Sequence, residues 1–256
     1  MTLIDLRRFS VVIFETDGVL TDTARIHAAA WKRAFDDFLR HRPGLTPEQA
    51  RPFDVRDDYL HHLDGRPRLE GARSFLAARG VTLPPGPEGD ATLSQLGEVK
   101  DALYLREIRH HGVAAFPSAM ALVRELHRHG ARQAAISPSR NCAEVLARSA
   151  LADLIDARVD GTDGVTLGLP PMPDPAIPVL AAHRLRAEPY ECVVVVATEP
   201  ALQAAVNGRF GLVVAVRHQV RSHPGPDIRA DCEIDDLAEL QVSGRVPLLV
   251  HGEPPG

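Results

Sequence analysis

Lysine is almost absent from this sequence of 256 residues. Only Lys32 and Lys100 occur among its 29 basic residues, and the rest are arginines. A GC-rich coding sequence explains this preference for arginine, and it also explains the many alanines. The consequence is nevertheless chemical, because any mechanism that needs a lysine amine must use one of these residues or do without.

Cysteine is scarce as well. The three cysteines, Cys142, Cys192 and Cys232, form no CxxC pair, so the sequence predicts neither a disulfide framework nor a zinc site. Cys192 and Cys232 lie in or beside apolar runs, where we expect buried, unreactive thiols.

Long apolar runs and an excess of positive charge are also missing. The N-terminal run MTLIDLRRFSVVIFE is too short for a signal peptide or a membrane span, and we expect a cytoplasmic protein that binds no membrane. A formal net charge of −5 gives no support to nucleic-acid binding. With 45% apolar and 25% charged residues, the composition is that of one large globular domain, or of a core domain with a modest insertion.

Short β-branched runs alternate with helical patterns through most of the chain. The runs are almost continuously apolar, as expected for strands covered on both faces. This alternation predicts an α/β fold with a doubly wound parallel sheet. Strands are predicted at residues 10–14, 133–136, 157–160, 192–196 and 211–216, and helices at residues 119–129, 142–149, 175–185 and 200–208.

The segment between the first two predicted strands is far longer than a normal crossover. Helical patterns within it cover residues 24–39, 53–63, 69–79 and 96–111, with the helix-breaking segments HRPGLTPEQARP and VTLPPGPEGD between them. We therefore predict an all-helical cap at residues 23–112, inserted into a core formed by residues 1–22 and 113–256. We expect the last residues, HGEPPG, to be a frayed end.

Polar residues follow the predicted strands, at the edge where α/β sheets bind their ligands. Glu15 and Asp17 come directly after the first strand, two residues apart, so that both carboxylates point into the same crevice. Ser137 follows the second strand and begins the segment SPSRN, which leads into a helix. A hydroxyl at a helix N-terminus suits an anion.

Four segments together resemble one known family over nearly the whole chain. They are VIFETDGVLTDTARIHAAAWKRAF, FDVRDDYLHHLDGRPRLEGARSFLAARG, ISPSRNC and GLPPMPDP. They resemble the motifs and the cap of the haloacid dehalogenase (HAD) superfamily, in its β-phosphoglucomutase-like branch. The resemblance implies a HAD-like, Rossmann-like core with a helical cap.

In that family the first motif supplies two aspartates, a nucleophile that takes a phosphoryl group and an acid/base residue two positions later. A Ser or Thr of the second motif binds phosphoryl oxygens, a lysine of the third neutralises charge, and an acidic pair helps to hold Mg²⁺. Phosphoryl transfer depends on positioning and charge neutralisation, so each part is needed. The chain retains some of these residues, namely Asp17, Ser137 and Asn141 in the core and Thr23, His27, Arg68 and Lys100 on the cap side.

Other family positions have changed. Glu15 stands at the nucleophile position, Met172 at the lysine position, and Ala197 and Thr198 at the acidic pair. Glutamate is one methylene longer than aspartate, and a displacement of ~1 Å can cost on the order of 10²-fold in rate. Met172 carries no charge, and the oxygens that remain suit Mg²⁺ poorly. We therefore expect no cofactor, a lost Mg²⁺ site and no ordinary phosphatase activity.

These changes leave three hypotheses for the function. The first, which we favour, is a repurposed enzyme in which Glu15 and Asp17 perform metal-independent acid/base chemistry of isomerase, dehydratase or cyclase type on a small organic substrate. Mutual repulsion and burial would then raise the pKa of one carboxyl. The second is a non-catalytic pseudoenzyme that binds a sugar phosphate or a similar anion. The third is a weak HAD phosphatase or phosphomutase in which Glu15 still attacks.

The substrate-binding residues predicted from this reasoning are Thr23, His27, Arg68, Lys100, Ser137, Ser139, Arg140, Asn141 and Met172. Two assignments have a plainer alternative. Glu15 also fits a drifted residue in an inactive site. Met172 either makes the crevice more apolar or simply fills the space of a lysine stem.

Overall fold

The computed structural model describes residues 2–217 and 229–244, so the predicted frayed end HGEPPG lies outside the described residues. The strands are Thr2–Asp5 (β1), Val11–Glu15 (β2), Arg132–Ile136 (β3), Ala157–Val159 (β4), Cys192–Val196 (β5), Leu212–Val216 (β6), Cys232–Ile234 (β7) and Leu240–Ser243 (β8). The α-helices are Ala24–His41 (α1), Asp57–His62 (α2), Arg68–Ala78 (α3), Pro87–His111 (α4), Pro117–Arg128 (α5), Cys142–Arg148 (α6), Gly161–Leu167 (α7), Ala176–Arg184 (α8) and Glu199–Asn207 (α9). None of the helices in this part of the chain has both the length and the apolar composition of a membrane span.

Six strands form the main sheet, in the order β4-β3-β2-β5-β6-β7, and every neighbouring pair is parallel. The chain runs outward from β2 to β4, then crosses back to β5 and runs outward to β7. This order confirms the predicted doubly wound α/β fold. The strand order reverses between β2 and β5, and the crevice at such a switch point is where ligands bind in folds of this kind.

Both faces of this sheet are buried, because successive side chains of a strand point to opposite faces. Val12 and Phe14 of β2 pack into a hydrophobic cluster with α5, whereas Val11 and Ile13 pack into a second cluster with α8 and α9. Each fully buried Val, Ile or Phe side chain contributes about 1.5–3 kcal/mol to folding. This two-sided burial is the reason that the strands form continuous apolar runs in the sequence.

All five predicted strands are present, and their ends shift by one residue at most. The prediction missed β7 at the edge of the sheet, together with β1 and β8, which form a separate two-stranded parallel sheet. These strands are short and partly exposed, with Leu3 of β1 50% exposed. The sequence prediction also missed α7, which begins at a capping box between Asp160 and Asp163 rather than at an apolar repeat.

Helices α1 to α4 form the all-helical cap between β2 and α5, and they enclose a hydrophobic cluster of their own. The ring of Phe35 lies 4.8 Å from that of Trp31 and 4.2 Å from that of Phe75, measured between centroids. Such aromatic contacts stabilise a cluster beyond the area they bury. The exact division of the chain, at residues 22/23 and 112/113, stays a prediction.

Two cap helices begin elsewhere than predicted. Helix α4 starts at Pro87 rather than at residue 96, because proline fits the first helical position and Glu88 and Asp90 favour the first turn. Helix α2 starts at Asp57 rather than at residue 53. The Asp54 carboxylate accepts hydrogen bonds from the N–H groups of Arg56 at 2.8 Å and Asp57 at 2.9 Å, which holds the chain in a turn before the helix begins.

The two cysteines predicted to be buried differ. Cys192 is buried, and burial raises the pKa of its thiol to about 12, which makes it unreactive at neutral pH. Cys232 is only partly buried, so the prediction is wrong for this residue. It begins the edge strand β7, and its Sγ lies 2.7 Å from Thr2 Oγ1.

Candidate active site

The candidate site is built on the turn that follows β2. Gly18 has a φ of +79°, in the left-handed region that favours glycine, and it bends the chain directly after Asp17. The N–H of Thr21 donates to the carbonyl oxygen of Thr16 at 3.0 Å, and the Thr21 hydroxyl donates to the same oxygen at 3.1 Å. The turn therefore holds Asp17 at the mouth of the crevice.

Glu15 is buried at the end of β2, with 1% of its surface exposed. Its Oε2 accepts hydrogen bonds from the N–H groups of Ala197 at 2.8 Å and Thr198 at 3.0 Å. Its Oε1 accepts the hydroxyl of Thr198 at 2.6 Å. Burial raises the pKa of Glu15 to about 7, aided by the charge of Asp17 and opposed by these hydrogen bonds. The Glu15 carboxyl group therefore changes its protonation state near neutral pH.

Asp17 lies on the other side of the crevice, among hydroxyl groups. Its Oδ1 accepts the hydroxyl of Thr23 and its Oδ2 accepts that of Ser137 at 3.2 Å. Nε2 of His27 lies 3.6 Å from Oδ1. Burial pushes the pKa of Asp17 upward, but the His27 ring and the Thr23 hydroxyl outweigh it and hold the pKa below its ordinary value. Asp17 is therefore ionised at neutral pH.

The cap contributes a second group of charges, centred on Asp101. This carboxylate binds the guanidinium of Arg68, the ammonium of Lys100 at 3.2 Å and the amide of Asn141 at 3.4 Å. Asn141 belongs to the core, whereas the two cations belong to cap helices. Asp101 therefore joins the cap to the core beside the site.

A cap turn between α2 and α3 brings Asp64 over the site. Burial raises the pKa of Asp64 to about 8, and the charges of Glu15 and Asp17 act in the same direction. Gly65 has a φ of +66°, and a Cβ at this position would lie only 2.7 Å from Thr198 Oγ1. The cap backbone at Gly65 therefore contacts the Thr198 side chain of the core, above Glu15.

A small cavity of about 50 Å³ lies between these groups. It has room for one or two water molecules, so the cap is closed. Asp64 and Arg66 also line an outer cleft of about 820 Å³, whose core side carries Met172. A ligand of more than a few atoms reaches Asp17 only after the cap moves away from Thr198.

The structure gathers most of the predicted site residues. Those lining the inner cavity are Glu15, Asp17, His27, Arg68, Lys100 and Ser139. Thr23 and Ser137 join the site through Asp17, and Asn141 joins it through Asp101. Their roles in binding and catalysis stay predictions.

Two predicted residues lie apart from the inner cavity. Arg140 and Met172 line a neighbouring cleft of about 260 Å³. Met172 is 4% exposed and packs in the cluster that contains Val11 and Ile13. Most of its side chain therefore packs in the core, and both interpretations of Met172 stay predictions.

Sequence reasoning missed three residues that shape the site, Asp64, Asp101 and the hydroxyl of Thr198. The Asp-Gly pair at residues 64 and 65 is a turn signal between two predicted helices, and it could have marked the cap turn. Asp101 follows Lys100 directly and gave no separate signal. Thr198 enters the sequence prediction only as the loss of an acidic residue, and the sequence gives no sign that its hydroxyl binds Glu15.

The oxygens at this edge of the sheet do not match the needs of Mg²⁺. The ion prefers carboxylate, carbonyl and water oxygens in octahedral geometry, but both Glu15 oxygens already accept hydrogen bonds from Ala197 and Thr198. Within residues 2–217 and 229–244, no cluster of three or more His, Cys, Asp and Glu side chains could hold a metal ion. The residues present therefore do not fit Mg²⁺.

The chain is similar to known proteins over most of its length. Residues 9–195 match the family described as "Hydrolase: haloacid dehalogenase-like hydrolase". A β-phosphoglucomutase of Mycobacterium bovis is 33% identical over 235 residues, which cover 89% of this chain and 90% of the relative. An uncharacterized glycosyl hydrolase of Mycobacterium tuberculosis is 37% identical over 242 residues, covering 93% of this chain, although the chain spans only 18% of that relative's length. The crystal structure of CbbY from Rhodobacter sphaeroides in complex with phosphate shares the fold, with a TM-score of 0.71 at 20% identity, over 90% of this chain and 96% of that one.

Proposed function

The chain belongs to the haloacid dehalogenase-like hydrolase family, in its β-phosphoglucomutase-like branch, and we propose that it performs metal-independent acid/base chemistry on a small organic substrate beneath the cap. Glu15 is the acid and Asp17 the base of this reaction, which is of isomerase, dehydratase or cyclase type. The names of its relatives suggest an enzyme. The phosphate held by its structural neighbour suggests a small-molecule ligand.

One observation carries the proposal: Glu15 and Asp17 line the same buried cavity, and their surroundings shift the pKa values of the two carboxyl groups in opposite directions. Burial raises the pKa of Glu15 to about 7, whereas His27 and the Thr23 hydroxyl hold that of Asp17 below its ordinary value. Near neutral pH one group therefore holds a proton while the other is free to accept one. Pairs separated in this way are typical of general acid/base catalysis.

The surroundings of Glu15 argue against phosphoryl transfer. Hydrogen bonds from Ala197 and Thr198 hold Glu15 at the end of β5, and only Oε1 keeps a lone pair, which a proton can occupy. The family usually uses Mg²⁺, and the residues at this edge of the sheet do not suit that ion. Met172 supplies no cation in place of the family's lysine, and removing one such charge costs roughly 2.7–4 kcal/mol of transition-state stabilisation.

The charges around the cavity favour an uncharged substrate. Arg68 and Lys100 are already bound to Asp101, so neither is free to neutralise a phosphate. A phosphate beside Asp17 would also face Asp64 and Glu15, which line the same cavity. We further propose a cytoplasmic location, no membrane or nucleic-acid partner, and a cap that comprises residues 23–112.

The proposal is tested by proton exchange. Uncharged hydroxyaldehydes and hydroxyketones are incubated with the full chain in D₂O containing EDTA, and NMR follows the loss of their C–H signals. We expect exchange that EDTA leaves unchanged. Glu15→Gln and Asp17→Asn should each slow it by about 10²-fold or more, because each removes one proton-transfer group.

Asp37→Asn is the matched control, because Asp37 is an exposed carboxylate on α1, with 66% of its side chain accessible. This variant should exchange protons as fast as the wild type. Equal exchange in Asp17→Asn and the wild type would contradict the proposal, as would exchange that requires Mg²⁺.

Phosphatase or phosphomutase activity is the second candidate, because relatives that align over most of the chain are called β-phosphoglucomutase. In this case Glu15 would leave Thr198 and attack phosphorus directly. Hydrolysis of p-nitrophenyl phosphate with Mg²⁺, abolished by Glu15→Gln, would establish it. We expect no such hydrolysis above the background rate.

A non-catalytic sugar-phosphate-binding protein would differ from the proposed enzyme in the exchange assay and from a phosphatase in the hydrolysis assay. It would show neither proton exchange nor phosphate release, and a sugar phosphate would raise its melting temperature. The pairing of Arg68 and Lys100 with Asp101 speaks against this alternative.

A further inference from the structure

The inner cavity is too small to hold a substrate on its own. Its volume is about 50 Å³, whereas small-molecule sites in proteins occupy about 300 Å³ or more. A substrate held at Asp17 must therefore extend into a neighbouring space. Two larger spaces adjoin the cavity: the outer cleft, and the cleft of about 260 Å³ that contains Arg140 and Met172, which we call the side cleft.

The side cleft lies directly beside the proposed acid/base pair. Pro138 and Arg68 line both this cleft and the inner cavity that contains Glu15 and Asp17. Helix α3 of the cap forms one wall of the side cleft, and helix α7 of the core forms another. When the cap moves to admit a ligand, a group attached to that ligand can therefore extend from Asp17 past Pro138 into the side cleft.

The lining of the side cleft is mostly apolar. Of its charged residues, Arg140 and Glu70 are exposed to solvent and carry opposite charges, and Arg68 is bound to Asp101. These charges are therefore solvated or paired, which leaves the apolar surface to determine what binds. That surface belongs to Leu69, Pro138, Val165, Leu169, Met172 and Ile177.

Part of this apolar surface is uncovered. Val165 of α7 is 66% exposed, whereas Met172 and Ile177 are each 4% exposed. An apolar group in the side cleft would remove the Val165 side chain from water, which is favourable in proportion to the area covered. The outer cleft carries charged side chains instead, among them Arg56 and Asp57, beside which an apolar group would gain less.

We propose that the side cleft binds an uncharged, apolar arm of the substrate while the carbonyl group of the same molecule lies at Glu15 and Asp17. The inference rests on the proposed function for the position of the carbonyl group, and it adds the substrate class. This class is a neutral hydroxyketone or hydroxyaldehyde that carries an alkyl or aryl group. Taking about 30 Å³ for each heavy atom, the cleft has room for roughly eight of them.

A series of 1-hydroxy-2-alkanones tests the binding of the arm. Hydroxyacetone, 1-hydroxy-2-butanone and 1-hydroxy-2-hexanone share one polar end and differ in the length of the alkyl chain, and NMR titration of the full chain gives the Kd of each. We expect the Kd to fall about two- to fourfold for every added methylene group, because the cleft removes that group from water. A constant Kd along the series would overturn the inference, as would failure of 1-hydroxy-2-hexanone to bind.

Val165→Asp and Leu167→Asp are matched variants that locate the arm. Both residues are exposed and apolar and lie on α7, with Leu167 53% exposed, but of the two only Val165 lines the side cleft. An aspartate at position 165 must lose water when an apolar arm binds beside it. The ratio of the hydroxyacetone Kd to the 1-hydroxy-2-hexanone Kd should therefore fall at least about threefold in Val165→Asp and stay at the wild-type value in Leu167→Asp. Equal ratios in the two variants would contradict this location.

Two measurements on the wild-type chain do not depend on the folding of a variant. 1-Hydroxy-2-hexanone should shift the amide NMR signals of residues 164–169, which hydroxyacetone should leave in place, and signals that stay unchanged would overturn the inference. 5-Hydroxy-4-oxopentanoate has a similar length but ends in a carboxylate, and it should bind more weakly than 1-hydroxy-2-hexanone. Tighter binding of this anion would mean that Arg140 selects a negatively charged group, which contradicts the inference.

The same ligands distinguish failure of this inference from failure of the proposed function. A Kd that falls along the series and depends on Val165, without exchange of the ligand C–H in D₂O, would retain the side cleft and contradict the acid/base pair. Exchange that depends on Asp17, with a Kd that is constant along the series, would do the reverse.

Discussion

The hydroxyl of Thr198 donates a hydrogen bond to the Glu15 carboxylate, with 2.6 Å between the two oxygens. Both residues stand at positions where the resemblance predicts a change from the family pattern, and in the structure they bind each other. An acidic pair at positions 197 and 198 would repel Glu15 in this orientation. We therefore expect an acidic residue at position 198 and a glutamate at position 15 to be incompatible in this arrangement.

The first prediction concerns this hydrogen bond. Thr198→Val keeps the shape of the side chain but removes the donor, which leaves a buried carboxylate oxygen with one partner fewer. We expect the free energy of unfolding to fall by about 1–3 kcal/mol at pH 8, where Glu15 is ionised, and by less at pH 5. Urea unfolding at the two pH values measures this difference.

Thr198→Ser is the matched control, because serine keeps the hydroxyl and loses only a methyl group. It should retain most of the stability at pH 8. Equal losses in the valine and serine variants would mean that the hydroxyl does not hold Glu15.

The second prediction is a dependence of stability on pH. The pKa of Glu15 is about 7 in the folded chain against an ordinary value of 4.5, so between these values the folded state keeps a proton that the unfolded state has released. The free energy of unfolding should therefore fall as the pH rises from 4.5 to 7, by on the order of 3 kcal/mol. Asp64, raised to about 8 by burial, acts in the same direction.

Glu15→Gln and Asp64→Asn should each lower the slope between pH 5 and pH 7, and Asp64→Asn should also remove the part that extends above pH 7. Urea unfolding from pH 5 to pH 9 gives the slopes, with Asp37→Asn as an exposed control. A Glu15→Gln slope equal to that of the wild type would contradict the burial of an ionisable Glu15.

The third prediction concerns closure of the cap. Gly65→Ala places a Cβ 2.7 Å from Thr198 Oγ1 and 3.0 Å from Pro200 Cδ. We expect the cap turn to lift from the core, so that amide hydrogen exchange becomes about tenfold faster in residues 64–66 and 197–199.

Gly44→Ala separates the clash from the backbone strain. Gly44 has a φ of +79° with no atom within 4 Å of an added Cβ, so both variants carry a strain of about 1–2 kcal/mol. Only Gly65→Ala should speed exchange at the contact between cap and core. Similar exchange profiles would show that Gly65 does not hold the cap.

The fourth prediction is a gain of function. Glu15→Asp, Met172→Lys, Ala197→Glu and Thr198→Asp together restore the nucleophile, the cation and the acidic pair of the family. Each restored charge partner is worth roughly 2.7–4 kcal/mol, so Mg²⁺-dependent hydrolysis of p-nitrophenyl phosphate should rise at least about 10²-fold. Adding Asp17→Asn to the restored chain should abolish the gain. Continued inactivity would mean that the site has changed beyond these four positions.

The central strands could be predicted from the sequence because burial on both faces requires a continuous apolar run. Val193, Val194 and Val195 of β5 are all fully buried, and no polar residue interrupts them. The edge strand β7 gives no such signal, since Glu233 in its middle is exposed to solvent. Whether a short mixed segment forms a strand depends on the partner beside it rather than on its own residues.

The core side of the site was predictable from the strands, whereas on the cap side only the family resemblance pointed to His27, Arg68 and Lys100, which line the inner cavity. Asp17 and Ser137 follow neighbouring parallel strands, so their proximity follows from the sheet alone. The approach of Asp64 to Glu15 depends on how the cap turn packs against Thr198, a contact between residues distant in the sequence. The hydrogen bonds of Glu15 depend likewise on the side-chain length and on the backbone beyond β5.

The carboxylate of Asp101 is an anion within the cap, and it occupies groups that could otherwise bind an anionic ligand. The groups that the family resemblance assigned to a negatively charged ligand, Arg68, Lys100 and Asn141, are held by a carboxylate that belongs to the chain. Because Asp101 is part of the chain, its carboxylate competes with an anionic ligand for these groups at an effective concentration of about millimolar or more. A sugar phosphate must therefore displace this internal competitor before it can bind. A neutral ligand does not displace Asp101, so the contact that Asp101 makes with Asn141 of the core stays intact.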